Sequence, residues 1–291
     1  MKIILCPNPF RDKGLKAAKS AGTLLTGAGA EVVTCFPFPV DKSVLGDVDR
    51  SIRIKDLRAE LPGASFLVCF GGDGTILHAA KDASSFNVPI LGVNLGSVGF
   101  MAELEQGEMD KLKRLVTGEY TLESRMLLDV RVVRDGRTLF RSVALNDAVV
   151  TKGAVARIID LQVFGDKILI SNIYGDGVIM ATPTGSTAYS LSAGGPIVEP
   201  TAENIIMTPI SAHTLQSKAM VLDKNRRIEV TVPKSSRKTA YLSVDGGKAF
   251  KLISGDTVEI SRSRRSLGLV KLSGKSFYEI MSHKLERRSR T

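Results

Sequence analysis

The first 120 residues alternate short apolar runs with stretches of helical spacing. The runs that predict strands cover 2–6, 31–35, 65–70 and 88–93. The patterns that predict helices cover 15–25, 51–61, a segment beginning near Thr75, and 108–116. Apolar residues three and four apart on one face are typical of amphipathic helices, and their alternation with strands favours an α/β layer built on a parallel, Rossmann-like sheet.

From about Tyr120 the pattern changes to short β-branched runs. These runs cover 127–133, 139–145, 148–151, 158–164, 167–173, 205–207, 219–222, 227–232, 240–244 and 256–261. Asp135-Gly136 and Gly165-Asp166 separate neighbouring runs and predict hairpin turns. So many short strands with few helices favour a β-sandwich or a layered β domain. We therefore expect an α/β domain at 1–119 and a β-rich domain at 120–270.

The final segment, 271–291, combines a helical pattern with a basic tail. Phe277, Ile280, Met281 and Leu285 have helical spacing, and we expect this helix to pack back on the first domain.

Composition narrows the class of protein. With 291 residues, 43% of them apolar and 24% charged, the chain is an ordinary globular one of two-domain size. It has no apolar stretch approaching the roughly 18 to 20 residues of a membrane helix, and its first residues predict a β-strand, not a signal peptide. Cys6, Cys35 and Cys69 lie in or beside apolar runs without metal-binding spacing, which favours core positions and a reducing cytoplasm.

The net charge of +10 admits a polyanionic partner. Much of the excess lies late in the chain, without the interleaved aromatic residues of a surface that binds single-stranded nucleic acid. A solvated basic tail together with a small anionic ligand is favoured over nucleic acid, and we expect no membrane partner.

The sequence FGGDGTILHAA at 70–80 places glycines around a carboxylate at the end of a predicted strand. Gly71, Gly72 and Gly74, followed by Thr75 and a helix, are typical of a turn that a phosphate approaches. Asp73 then orients or deprotonates a hydroxyl, or holds a cation; the alternative is a tight turn in which Asp73 caps the helix. His78, one helical turn further on, either reaches a phosphate or lies on the helix face.

Two weaker polar segments follow. In VNLGSVGF at 93–100, Asn94 is a candidate ligand contact, and the alternative is a compact turn. In ALNDAVV at 144–150, Asn146 and Asp147 interrupt an apolar strand, which costs desolvation unless they are paired or face a cleft. A bulge or turn is the alternative.

The segment 174–198 is the most informative. Asp176-Gly177 precedes a strand, and TPTGSTAYSLS at 182–192 precedes Gly194-Gly195-Pro196. So many hydroxyls and glycines predict an ordered loop that offers polar groups to a ligand, with Tyr189 available for stacking or a hydrogen bond. An Ω-loop without a ligand is the alternative.

Taken together, these segments resemble the bacterial NAD kinase family. The resemblance is carried by GGDGT at 71–75, NLGxxGF at 94–100, LNxxV at 145–149, DGxxxxTPTGSTAYxxSxGGP at 176–196, SxDG at 243–246 and SFYEIMSHKL at 276–285. GGDGT alone is shared with diacylglycerol and sphingoid kinases and with 6-phosphofructokinases, but the long Thr/Gly/Ser segment is highly specific.

The resemblance implies phosphorylation of the adenosine ribose 2′-hydroxyl of NAD by ATP, with Asp73 as the proton acceptor. The phosphates of ATP are assigned to Gly71, Gly72, Gly74, Thr75 and His78. A divalent ion, Mg²⁺, is expected to be held mainly by ATP without a dedicated protein site. The NAD-binding residues implied by the resemblance are Asp73, Gly74, Asn146, Asp147, Arg157, Asp176, Thr187, Ala188, Tyr189, Ser190, Leu191, Ser192 and Ala212.

One position departs from the family, which usually has Glu where this chain has Asp147, one methylene shorter. By likeness to relatives we expect a homodimer or a homotetramer. The alternative functions are a lipid kinase that shares GGDGT and a dinucleotide-binding regulator without catalysis.

Overall fold

A computed structural model describes residues 1–41, 52–96, 99–153, 158–213, 218–236 and 238–288, with side chains up to residue 282. The chain divides into two compact units. Unit 1 comprises 1–124 and 266–291, and unit 2 comprises 125–265. The chain passes from one unit to the other within two long strands, β7 (Thr121–Arg134) and β18 (Thr257–Lys271).

Unit 1 is an α/β layer, as the alternating pattern predicts. Its strands are β1 (Lys2–Pro7), β2 (Glu31–Cys35), β3 (Ile54–Lys55), β4 (Phe66–Gly71), β5 (Ile90–Asn94) and β6 (Leu104–Glu105). They pair in parallel in the order β3-β2-β1-β4-β5, and the end of β18 and β6 both pair with β5. From β1 the chain continues to β2 and β3 on one side of the sheet and then returns to β4 and β5 on the other side. The strand order therefore reverses between β1 and β4. In open α/β sheets, ligands bind at the carboxyl ends of the strands beside such a reversal.

The helices of unit 1 are α1 (Lys16–Gly27), α2 (Leu57–Glu60), α3 (Asp73–Ser85), α4 (Arg114–Thr117) and α6 (Phe277–Arg288), and a 3₁₀ helix covers Gln106–Lys113. In α3, Ile76, Ala79, Ala80 and Ala83 are buried, so the apolar face repeats at helical spacing against the sheet. Each large apolar side chain buried in this way contributes about 2 kcal/mol to folding.

Two helix predictions in unit 1 need correction. Ile54 and Lys55 form a strand that pairs with Thr34 and Cys35, and the helix covers only Leu57–Glu60, where the carboxylate of Asp56 caps it at 2.9 Å from Ala59 N. Backbone pairing with β2 outweighs the helical spacing of the side chains. The predicted helix at 108–116 is a 3₁₀ helix as far as Lys113 and becomes α-helical only in α4. Residue 51 lies outside the described ranges.

Unit 2 is an antiparallel β structure, as predicted. Its strands after β7 are β8 (Arg137–Ala144), β9 (Asp147–Lys152), β10 (Ile159–Gly165), β11 (Ile168–Gly175), β12 (Gly177–Ala181), β13 (Asn204–Ile210), β14 (Met220–Asp223), β15 (Ile228–Thr231), β16 (Ala240–Val244) and β17 (Phe250–Leu252), and its short helix is α5 (Tyr189–Ser192). One sheet has the order β14-β13-β12-β9-β16-β17, and β11-β10-β15-β18 run side by side in the other. Apolar side chains from both sheets form one core, which includes Val150, Val178, Met207, Val230 and Val258.

Most of the remaining sequence predictions are close to the structure. The turn between β10 and β11 is Asp166-Lys167, with φ of 49° and 70°, one residue later than the predicted Gly165-Asp166. Asp135 and Gly136 have φ of 48° and 74° between β7 and β8, as a hairpin turn of two residues requires. Cys6, Cys35 and Cys69 are free and buried, which confirms their assignment to the core. The final helix belongs to unit 1, where the Phe277 ring lies 6.3 Å from the Phe100 ring.

Candidate active site

Asp73 begins a helix at the carboxyl end of β4, and its carboxylate is held by a second loop. Gly72, with extended φ and ψ, is the residue before α3 and makes no side-chain cap. The carboxylate of Asp73 instead accepts hydrogen bonds from Phe100 N (2.8 Å) and Met101 N (3.1 Å). The interpretation of Asp73 as the helix cap is therefore wrong, and its side chain is fixed by the turn that follows β5.

Close approach explains two of the glycines around this carboxylate. A Cβ on Gly99 would lie 2.0 Å from Asp73 Oδ1, and a Cβ on Gly71 would lie 2.2 Å from Thr75 Oγ1. Gly99 thus lets the turn after β5 close around Asp73, and Gly71 lets Thr75 pack against the end of β4. Gly72 and Gly74 leave open space where a side chain would be, at the N-terminus of α3.

The N-terminus of α3 suits an anionic ligand. The helix has 13 residues, and a helix of this length presents partial positive charge and backbone donors at its first turn. The Asp73 side chain is half-buried, and each carboxylate oxygen keeps a lone pair beyond the one that accepts from the backbone. The site thus places backbone donors that suit an anion beside a carboxylate that can accept a hydrogen bond from a hydroxyl.

The Asn94 side chain forms hydrogen bonds to the turn that follows β5 and to β6. Its Nδ2 donates to Gly96 O (3.2 Å) and to Glu105 Oε2 (2.9 Å), and its Oδ1 accepts from Gly96 N (3.1 Å). With the side chain buried and both polar atoms engaged, Asn94 shapes the turn after β5 and is not the ligand contact that the sequence suggested.

In unit 2, Asp245 fixes the turn that carries Asn146 and Asp147. Its carboxylate accepts from Leu145 N (2.7 Å), Asn146 N (2.8 Å) and Asp147 N (3.0 Å). Its own backbone is in the left-handed region, with φ of 49°. In the sequence, Asp245 stands out only as part of the SxDG motif, and the signal that could have singled it out is an acid followed by glycine after a strand.

Asp147 is a buried carboxyl group with an unusual protonation equilibrium. Its residue is 5% exposed. Burial, assisted by the nearby charge of Asp245, raises the pKa of Asp147 to about 7. Burial also raises the pKa of Asp245, although its three backbone donors oppose the change.

The TPTGSTAYSLS loop at 182–192 packs directly on this turn. Thr182 N donates to Asn146 O (2.8 Å), and Thr182 Oγ1 donates to Leu145 O (2.5 Å). A Cβ on Gly185 would lie 2.1 Å from Asn146 O, so only glycine fits there. The loop and the turn therefore form one rigid surface.

Most hydroxyls of the loop are hydrogen-bonded within the protein. Ser186 Oγ bonds with both backbone groups of Val198, Ser190 Oγ with Thr208 Oγ1 (2.8 Å), and Thr187 Oγ1 with Thr184 O (3.3 Å). Tyr189 is 45% exposed, Ser192 is exposed, and Thr187, Ala188 and Leu191 are half-buried. The expectation that the hydroxyls as a group face a ligand thus needs correction, since the accessible side chains are few.

Asp176 and Ala212 lie at the opposite end of the same sheet. Asp176 precedes β12, whereas Thr182 follows it, and the Asp176 carboxylate lies 2.6 Å from Lys152 Nζ at the far end of β9. Ala212 Cα would lie 2.9 Å from a Cβ on Gly175. The five residues of β12 span about 17 Å, which separates Asp176 and Ala212 from Asn146 and Asp147.

Comparison with known proteins agrees with this arrangement. The model of the ATP-NAD kinase N-terminal domain matches residues 35–120, and that of the ATP-NAD kinase C-terminal domain matches residues 145–272. The chain belongs to the ATP-NAD kinase family. It is 37% identical to an NAD kinase of Acetivibrio thermocellus over 286 residues, covering 98% of this chain and 97% of that one. It is 43% identical to an NAD kinase of Symbiobacterium thermophilum over 220 residues, covering 75% and 77%.

Solved structures of ATP-NAD kinase relatives have the same fold. Yeast NADH kinase, complexed with NADH, superposes with a TM-score of 0.83 at 26% identity, covering 97% of this chain and 85% of the yeast chain. An NAD kinase from Archaeoglobus fulgidus, in complex with ATP, superposes with a TM-score of 0.72 at 25% identity, covering 98% and 99%. These neighbours confirm the predicted class, an α/β unit followed by an antiparallel β unit.

The structure places the family motifs in two local clusters. Within unit 1 it joins GGDGT to NLGxxGF, and within unit 2 it joins the LNxxV turn, the TPTGS loop and the SxDG acid. Arg157 falls outside the described residues. His78 is exposed on α3, where the Phe38 ring lies 4.9 Å from its imidazole.

Neither metal-binding clusters nor membrane-spanning helices occur in the described part of the chain. Among the described residues there is no group of three or more His, Cys, Asp or Glu side chains that could hold a metal ion. Within the same residues, no helix has the length and apolar character needed to cross a membrane.

Proposed function

We propose that this protein transfers the γ-phosphoryl group of ATP to the 2′-hydroxyl of the adenosine ribose of NAD, which gives NADP. The observation that carries the proposal is the Asp73 carboxylate, held by Phe100 N and Met101 N at the N-terminus of α3 in a chain of the ATP-NAD kinase family. Phosphoryl transfer depends on alignment and charge stabilisation more than on covalent catalysis, and this site offers both.

Asp73 accepts the proton of the 2′-hydroxyl while the ribose oxygen attacks the γ-phosphorus; the bond from the γ-phosphorus to the β,γ-bridging oxygen breaks, and ADP leaves. Gly71, Gly72, Gly74, Thr75 and His78 are proposed to surround the phosphates of ATP, where the open space at Gly72 and Gly74 supports a close approach. Mg²⁺ bound to the phosphates would neutralise their charge, with ATP itself supplying most of its ligands. Asp73 stands beside those phosphates and is the one protein carboxylate that we assign to this end of the site.

NAD is proposed to bind the surface formed by the 145–147 turn and the 182–192 loop. The assigned residues there are Asn146, Asp147, Thr187, Ala188, Tyr189, Ser190, Leu191 and Ser192. The Ser190 hydroxyl is engaged with Thr208, so we assign Ser190 to the site through its backbone. Asp176, Ala212 and Arg157 complete the proposed set.

We further propose a homo-oligomer located in the cytoplasm. The separation of Asp176 and Ala212 from the 145–147 turn supports an assembly in which two copies contribute to each NAD site. Three free, buried cysteines are consistent with a reducing compartment.

The deciding experiment incubates the purified protein with Mg²⁺, ATP and either NAD or a lipid alcohol, and it measures NADP and phospholipid separately. We expect NADP and no phospholipid. Phospholipid as the main product would make the protein a lipid kinase, and NAD binding without NADP formation would make it a regulator that lacks catalysis.

A further inference from the structure

Two phenylalanines, Phe10 and Phe38, form an aromatic cluster beside the glycine loop, and neither takes part in the proposed proton transfer or NAD binding. Phe10 follows β1 and Phe38 follows β2, so both lie at the carboxyl edge of the parallel sheet, near the reversal between β1 and β4. Their ring centroids are 6.3 Å apart with planes inclined by 15°, and the Phe38 ring contacts His78 of α3.

The exposure of Phe10 is the unusual feature of this cluster. Its residue is 59% exposed, although it lies where α/β proteins bind ligands. An exposed aromatic ring with a nearly parallel neighbour presents a flat apolar surface, and purine bases bind such surfaces by stacking.

Direct contacts connect this cluster to the GGDGT loop. Asn8 Nδ2 donates to Thr75 Oγ1 (3.3 Å), and Asn8 Oδ1 accepts from Phe10 N (3.0 Å). Gly74 and His78 are four residues apart on α3 and therefore share one face, about 6 Å apart along the axis. On this face Gly74 lies at the end where the phosphates are proposed to bind, and His78 lies beside the Phe38 ring.

Arg11 adds a cation at the same edge of the sheet. Arg11 is exposed, and its Nη1 would lie 3.7 Å from a Cβ on Gly96, in the turn after β5. A guanidinium group at this edge suits the phosphate oxygens of a nucleotide, which it can bind with two parallel hydrogen bonds.

We propose that Phe10 and Phe38 form the stacking surface for the adenine of the phosphoryl donor, and that Arg11 binds its phosphates. This inference rests on the proposed function, because it assumes that ATP is bound at the GGDGT loop. It assigns donor recognition to unit 1 and explains why an exposed phenylalanine stands at the edge of the sheet.

The kinetic test compares Phe10→Ala, Phe10→Tyr and the wild-type protein in NADP formation at varied ATP and varied NAD. We expect Phe10→Ala to raise the KM for ATP about tenfold, with kcat and the KM for NAD changed by less than about twofold, since stacking contributes to donor binding alone. Phe10→Tyr keeps the ring and should stay close to wild type. The matched control is Phe86→Ala, which removes another exposed phenylalanine at the other end of α3.

An unchanged KM for ATP in Phe10→Ala would overturn the inference. An equal rise in Phe86→Ala would also overturn it, because it would show a general effect on the fold.

A binding test does not depend on catalysis. The chain contains no tryptophan, so Phe10→Trp introduces a single tryptophan at the proposed stacking surface, and its fluorescence can be excited selectively over that of the five tyrosines. We expect ATP to quench this fluorescence and inorganic tripolyphosphate, which has no base, to leave it unchanged. Adding Arg11→Gln in this background should weaken the binding of both compounds, measured by calorimetry, about tenfold, as loss of a charged hydrogen-bond donor does.

Equal quenching by ATP and tripolyphosphate, or by neither, would contradict the stacking surface. If the wild-type protein forms no NADP and yet ATP alone quenches Phe10→Trp, the proposed function fails while the adenine site stands.

Discussion

At the residue scale, Asp73 is defined by the two backbone groups that donate to it. Phe100 N and Met101 N each bond to a different carboxylate oxygen, so the group is oriented before any substrate arrives. Pre-orientation of an acceptor reduces the entropy that must be lost in the transition state. The same contacts mean that an amide cannot replace the carboxylate without placing one donor against another.

We expect Asp73→Asn to lower kcat by about 10² to 10⁴, the range that a general base contributes, while the Kd for NAD changes by less than about tenfold. Steady-state kinetics and calorimetric NAD titration measure the two quantities. Asp82→Asn is the matched control, since Asp82 lies on the same helix and pairs with Arg58 at 2.9 Å. Loss of NAD binding with kcat preserved would make Asp73 a binding residue.

Asp147 makes the stability of the protein depend on pH. Its pKa is about 7 in the folded state against an ordinary value of 3.8, so the folded state holds an additional proton between these values. The free energy of unfolding therefore falls as pH rises from about 4 to 7, by up to about 4 kcal/mol from this group, and its contribution is constant above that range.

Asp147→Asn should flatten this part of the pH dependence, because the amide does not titrate. Urea unfolding at pH 5, 6, 7 and 8 gives the free energies, with Asp160→Asn as the control, since Asp160 is a half-buried acid of the same unit that pairs with Lys238. Identical slopes in wild type and Asp147→Asn would show that Asp147 is already ionised at the lower pH.

At the element scale, the 182–192 loop takes its shape from the turn before β9. Thr182 bonds to the backbone of Leu145 and Asn146, and Gly185 lies against the Asn146 carbonyl group. Asp245, at the end of β16, holds the same turn from the other side. Three segments distant in sequence thus determine one surface.

Gly185→Ala should separate the loop from the turn, because the new Cβ would lie 2.1 Å from a backbone oxygen that cannot move away. We expect the KM for NAD to rise at least about tenfold and the free energy of unfolding to fall by about 2 kcal/mol or more. Enzyme kinetics and urea unfolding measure both changes. Gly107→Ala, where the structure has open space for a Cβ, is the control, and equal effects in the two variants would contradict the account.

At the scale of the whole molecule, the separation of the proposed NAD-binding residues has a consequence for assembly. Asn146 and Asp176 lie at opposite ends of the β9-β12 pair, and Asp176 is engaged with Lys152. If a second copy supplies Asp176, each NAD site needs residues from two chains, as symmetric oligomers allow.

Mixing two inactive variants tests this assembly. Asn146→Ala and Asp176→Ala should each lose NAD kinase activity, and their equimolar co-refolding should restore about a quarter of wild-type activity in a dimer, since one site in each mixed dimer is intact. Light scattering measures the oligomeric state of each sample. Absence of any recovery in mixed oligomers would place both residues in the site of one chain.

Much of this molecule was predictable because its signals are local. The alternating runs predicted the α/β unit and the β unit, and the Asp135-Gly136 turn followed from the conformations that those residues tolerate. Local signals gave the wrong prediction where a residue bonds to a segment distant in sequence. Ile54 lies in a strand that pairs with β2 and not in a helix. Most hydroxyls of the 182–192 loop bond to that loop or to neighbouring segments and are not exposed to a ligand.

The sequence by itself determined the order of the elements, the glycines near Asp73 and the resemblance to the ATP-NAD kinase family, since these depend on residue type and spacing. Tertiary structure decided which groups engage one another: that Gly99 allows the next turn to bind Asp73, that Asp245 holds Asn146 and Asp147, and that Phe10 stays exposed beside Phe38. The physical reason is that hydrogen bonds and burial between distant segments depend on distances of a few ångströms, which spacing along a chain does not specify.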